Sequence, residues 1–102
     1  MYSMDNMKKM PKLAKLSPDT MAAFRAWDKA ALAEGAIPKK YKELMAIAVA
    51  LTTQCPYCIE FHRAEAVKAG ATEQELAETV HVAAALRAGG AITHGLHLLS
   101  AD

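Results

Sequence analysis

A chain of 102 residues with a net charge of +1 and interspersed acids and bases lacks the basic excess of a nucleic-acid binder. No run approaches the ~18 apolar residues of a membrane span. Apolar residues make up 53% of the chain and aromatic residues 6%, with alanine dominant, a composition that favours closely packed helices in one domain.

Residues 1–16 are polar, methionine-rich and weakly patterned, and read as an N-terminal arm ordered only where it docks. Met1, Met4, Met7 and Met10 read either as adaptable contacts for a neighbouring subunit or, equally well, as a start region with no role. The opening residues contain no continuous apolar stretch, so a cytoplasmic protein without a secretory signal is expected. Residues 17–102 read as the helical domain.

Ser17-Pro18-Asp19 is a helix start: a capping hydroxyl, proline at the first helical position, then an acid. Met21, Phe24, Trp27 and Leu32 give this helix an apolar face, and Gly35 is its expected stop. Pro38 opens a second helix that runs to about Thr53, with Lys39, Lys40 and Lys42 as a solvated first turn. From Leu44 to Leu51 every position is apolar, which predicts burial on all sides, against other subunits as well as the chain's own core. Cys55-Pro56 begins a third helix that Gly70 ends, with Glu60, Arg63, Glu65 and Lys68 on a solvated face. Thr72-Glu73-Gln74-Glu75 is a capping box for a fourth helix. Gly89-Gly90 is expected to break that helix, leaving a short fifth one from Ala91 to Leu99. No segment alternates with the period of a strand, so the fold class is all-α, a bundle of about five helices.

The two cysteines, Cys55 and Cys58, are the only ones in the chain, and His62 follows one turn later. Two thiols at this spacing can close a disulfide across the first turn of a helix. Free N–H groups and the helix dipole at that position favour a thiolate, the reactive form. An imidazole four residues after Cys58 shares its face and can take its proton directly or through water. Glu43, at the mouth of an apolar helix, is the best candidate to orient that imidazole. On spacing alone the stronger reading is one more surface charge beside Lys40 and Lys42.

Glu43, the Cys55-Pro56-Tyr57-Cys58 run and His62 together resemble the alkylhydroperoxidase D-like branch of the carboxymuconolactone decarboxylase family. The stretch from about Tyr41 to Gly95 is similar to that family's helical core, including Ala46 to Ala50, the Ala69-Gly70-Ala71-Thr72 turn and Gly89-Gly90. The resemblance implies an antioxidant thiol-dependent hydroperoxide reductase. Cys58 would attack the peroxide, Cys55 would close the disulfide, and Glu43 and His62 would relay the proton. It further implies a homo-oligomer, a trimer or hexamer, with a hydroperoxide substrate and a dithiol reductant such as a lipoyl-type protein or a peroxiredoxin system. No cofactor and no metal are implied. Tyr57 departs from the pattern, standing where the best-known members carry a second histidine.

Other uses of the pair fit less well. A thioredoxin needs strands around its C-x-x-C, and a c-type haem site needs histidine where Ile59 stands. Structural zinc has only Cys55, Cys58 and His62 in the motif, with His81 or His94 as distant fourth ligands. The decarboxylases of the superfamily do not use a cysteine pair. A non-peroxidatic disulfide-exchange adaptor or redox sensor would use the same residues. His81, on an alanine-rich helix, reads as a packed or interface residue, and His94 and His97 as surface or interface positions.

Overall fold

The structure, a computed structural model, describes residues 2–102. Among them are five α-helices and no strand: α1 (Met10–Leu16), α2 (Pro18–Leu32), α3 (Lys39–Thr53), α4 (Pro56–Lys68) and α5 (Glu73–Gly95). A 3-10 turn precedes the set at Met4–Lys9 and another follows it at Leu96–Leu98. The all-α expectation is met. No helix among the described residues is long and apolar enough to cross a membrane.

Local signals explain most boundaries. Pro38 caps α3 and Pro56 takes the first position of α4, where a missing N–H leaves no helical bond unmade. Gln54 ends α3 in the left-handed region at φ 56°, and the Cys55 N–H returns to Ala50 O at 3.0 Å. That turn reverses the chain and delivers the cysteines to the start of α4. Gly70, at φ 100°, closes α4 in a conformation only glycine adopts without strain. The Thr72 capping box forms in full, with Glu75 N–H on Thr72 Oγ1 at 3.1 Å and Thr72 N–H on Glu75 Oε1 at 2.9 Å.

Two expectations are corrected. Gly89 and Gly90 do not break the fourth predicted helix: α5 runs through both to Gly95, so the short fifth helix is absent as a separate element. Each glycine costs an exposed helix about 1 kcal/mol relative to alanine, a penalty an otherwise alanine-rich, well-capped helix tolerates. Ser17 stands at the start of α2, but its hydroxyl donates backwards to Leu13 O at 2.9 Å and does not cap α2. Apart from these corrections, the residues read as an arm are helical from Met4 onward.

The core is small and lies where α3 packs on α4 and α5. Ile47, Ala50, Ala66 and Ala83 are its buried apolar residues. α4 and α5 cover α3, and α2 meets it far more slightly, so the all-round burial of α3 is not found in the single chain: Met45 and Val49 are exposed. On α2, Phe24 and Trp27 also face solvent, Trp27 at 75%. The radius of gyration is 17.3 Å, against about 13 Å for a compact domain of this length.

Candidate active site

Cys55 is the cap residue of α4 and Cys58 lies in its first turn, which places both sulfurs among the unpaired N–H groups of a helix start. The Cys58 N–H donates to Cys55 Sγ at 3.3 Å, so the cysteine does the capping that a serine or aspartate would do elsewhere. The two sulfurs are bonded to each other, with the Cα atoms 5.3 Å apart. This is the oxidised form of the pair. Pro56 fixes the backbone between cap and first turn, so the pair is held by the helix start.

Glu43 comes from α3 and is 1% exposed, the one buried charged residue among those described. Its two oxygens have separate partners. Oε1 accepts from Lys39 Nζ at 3.0 Å, one turn earlier on α3, and Oε2 meets His62 Nδ1 at 2.7 Å. A carboxylate paired with an ammonium can only accept, so His62 Nδ1 carries the hydrogen. The other ring nitrogen, Nε2, is then the acceptor in the neutral imidazole, the form a general base needs. His62 lies one turn beyond Cys58 on α4, partly buried. No hydrogen bond joins it to either sulfur among the described residues, and in the disulfide neither sulfur has a proton to give.

The four residues picked out in the sequence, Glu43, Cys55, Cys58 and His62, thus sit on the two helices joined by the Gln54 turn. The reading of Glu43 as a surface charge is corrected, because packing of α4 on α3 closes over it. The solvated first turn of α3 is corrected as well. Lys39 bonds Glu43, Lys40 Nζ pairs with Glu75 Oε2 at 2.9 Å, and Lys42 Nζ donates to Ala33 O at 2.7 Å. Lys39 was legible through its i, i+4 spacing to Glu43. Among the described residues no group of three or more His, Cys, Asp and Glu side chains is placed to hold a metal ion.

The family model for the carboxymuconolactone decarboxylase family matches residues 18–101. The chain belongs to that family. Within this carboxymuconolactone decarboxylase family chain, the matched span contains all four site residues. A crystal structure of an apo family protein from Legionella pneumophila superposes with a TM-score of 0.77 at 41% identity, covering 80% of this chain and 73% of that one. The chain is 49% identical over 72 residues to an uncharacterized protein of the cox locus in Paracoccus denitrificans, over 71% of this chain. It spans 65% of that relative, a little under two thirds of its length. It is also 35% identical over 85 residues to a Mycobacterium tuberculosis protein named alkyl hydroperoxide reductase, over 81% of this chain and 22% of that one.

Proposed function

We propose that the chain is a thiol-dependent hydroperoxide reductase. The observation that carries the reading is the Glu43 Oε2 to His62 Nδ1 contact of 2.7 Å on a fully buried carboxylate, beside a helix that opens with a dithiol pair. A structural disulfide has no use for a buried, oriented imidazole one turn away. In the reduced form His62 Nε2 accepts the Cys58 proton, directly or through water, and Glu43 stabilises the imidazolium. The Cys58 thiolate attacks the terminal peroxide oxygen. The O–O bond breaks, the alkoxide takes a proton from His62 and leaves as the alcohol, and Cys58 is left as a sulfenic acid. Cys55 attacks that sulfur, water leaves, and the disulfide forms. A dithiol donor then resets the pair. The relative named alkyl hydroperoxide reductase supports this class of reaction. A reducing, cytoplasmic compartment suits a pair that must return to the dithiol each turn.

The working form we propose is a homo-oligomer. The chain exposes 7920 Å², whereas a compact monomer of 11.0 kDa exposes roughly 5,600 Å². The surplus is of the size that permanent subunit contacts remove. The chain's exposed apolar side chains include Trp27, Leu86, Val49 and Phe24, and a groove of about 340 Å³ between α3 and α5 is lined by Tyr41, Leu44, Met45 and Val82.

Tyr57 favours one second reading, a disulfide-exchange adaptor. A phenol between the cysteines is a poor proton shuttle at neutral pH. Steady-state consumption of an alkyl hydroperoxide, with dihydrolipoamide as donor, separates the two. Repeated turnover is expected. Negligible turnover beside fast exchange with a protein thiol would overturn the peroxidase in favour of the adaptor.

A further inference from the structure

The N-terminal residues reach the cysteine motif itself. Asn6 Nδ2 donates to the Tyr57 hydroxyl at 2.8 Å, and the Ser3 N–H donates to the same oxygen at 3.4 Å. The ring of Tyr2 stands edge-on to that of Tyr57, centroids 5.0 Å apart, and the Tyr2 hydroxyl donates to Glu60 Oε1 at 2.8 Å. Tyr57 is one of the two residues between the cysteines, and Glu60 lies on the exposed side of the next turn. Beneath these contacts every residue from Cys55 to Ile59 is partly buried, while Gln54 before them and Glu60 and Phe61 after them are exposed. The start of α4 is therefore covered from one side by a segment more than 50 residues away in sequence.

We propose that Tyr2, Ser3 and Asn6 form a clasp that selects the electron donor of the Cys55–Cys58 disulfide: a small dithiol reacts with the clasp shut, a protein dithiol only with it open. The proposal rests on the redox reading of the pair and extends it to the reductive half of the cycle.

Reduction is a thiol–disulfide exchange. A donor thiolate attacks one sulfur of the pair, forms a mixed disulfide and expels the other cysteine as thiolate. The donor's second thiol then attacks its own sulfur in the mixed disulfide. The donor leaves as a disulfide, and two electrons and two protons have passed to Cys55 and Cys58. A small dithiol needs only a line of approach to one sulfur. A protein donor must seat on the order of 500 Å² of its own surface around its thiol. Tyr57 and Glu60 are part of the surface it would meet, and the clasp occupies both.

The clasp is also built to open. No residue of the Met4–Lys9 turn is buried, Tyr2 and Ser3 before it are exposed, and what these residues place on α4 is polar contacts from Tyr2, Ser3 and Asn6 with one ring contact from Tyr2. A hydrogen bond of this kind shifts a closed-to-open equilibrium about fivefold. A donor that binds only the open form gains apparent affinity in proportion to the open fraction.

The test uses the full chain, oxidised, as wild type and as the Tyr2→Phe/Asn6→Ala double variant. Reduction of the disulfide is timed by acid quench, alkylation and mass measurement, with dithiothreitol and with reduced thioredoxin as separate donors. The double variant is expected to react with thioredoxin about tenfold faster or more, losing two hydrogen bonds. Its rate with dithiothreitol is expected to stay within about twofold of wild type, because an exposed contact does not gate a small donor. Tyr57→Phe, which keeps the ring and loses the acceptor, is expected to give the same split. An equal rise with both donors, no change with either, or slower reaction with thioredoxin would overturn the clasp. No peroxide enters this measurement, so a donor split in a chain without hydroperoxide turnover would keep the clasp and remove only the peroxidase reading.

Discussion

In α3 to α5, Ile47, Ala50, Ala66 and Ala83 close around a buried Glu43, whereas α1 and α2 contain no buried residue. The C-terminal region is fixed by its own packing and holds the reacting groups. The N-terminal region carries large exposed apolar side chains, and meets the site through Tyr2, Ser3 and Asn6 and through the Leu32 carbonyl, which accepts from Lys39. The difference divides the labour. On the proposals above, rigid elements orient the imidazole, and the loosely held ones would control what reaches the sulfurs and carry the subunit contacts.

The comparison breaks first at Glu43. Glu43→Gln keeps the shape and removes the charge that orients His62, so hydroperoxide turnover should fall about 10²- to 10⁴-fold, as for loss of a general base. Glu43→Ala should also lower unfolding stability by about 2 kcal/mol, since a buried side chain is cut back and His62 loses its hydrogen-bond partner; urea denaturation measures it. A turnover change below about threefold would place Glu43 outside the chemistry.

Trp27→Ala tests the other region. In a lone chain an exposed side chain changes stability by no more than about 0.5 kcal/mol. In a subunit contact the same tryptophan is an anchor whose loss weakens association by about 2 kcal/mol or more. Sedimentation should therefore show the variant dissociating at concentrations where wild type stays assembled.

Two smaller effects sharpen the picture of the core. Gln54 sits at φ 56°, where glycine avoids the Cβ clash. Gln54→Gly should raise stability by about 0.5 kcal/mol after glycine's greater entropy loss, read as a small rise in Tm. At the far end of α3, the hydrogen bond from Lys40 holds the Glu75 carboxyl below its ordinary value, with the Thr72 N–H adding to the effect. A lowered carboxylate stabilises the fold above its unfolded value and loses that contribution as pH falls through the folded one. Lys40→Gln should move the Glu75 NMR titration upward without returning it to the ordinary value, because Thr72 remains. An unchanged midpoint would mean the pair does not form in solution.

What the sequence disclosed follows the range of the forces involved. The Thr72–Glu75 capping box, the proline starts of α3 and α4, and the Gly70 turn are local and were readable from neighbouring residues. So was the shared face of Cys58 and His62. The burial of Glu43 was not, because spacing places a residue on a helix face without saying which helix will cover it. The continuity of α5 through Gly89-Gly90 was missed for a related reason: a local propensity penalty was outweighed by the rest of the helix. The contacts of Tyr2, Ser3 and Asn6 with α4 have no periodic signature at all.

In the proposed cycle Cys58, served by the Glu43–His62 pair, is the sulfur that meets the peroxide. Cys55→Ser and Cys58→Ser proteins, each given one equivalent of alkyl hydroperoxide and a sulfenic-acid trap, report it by peptide mass. A trapped sulfenic acid is expected on Cys58 in the first variant and no oxidation in the second. A sulfenic acid on Cys55 in the Cys58→Ser protein, with Cys58 unreacted in the other, would contradict it.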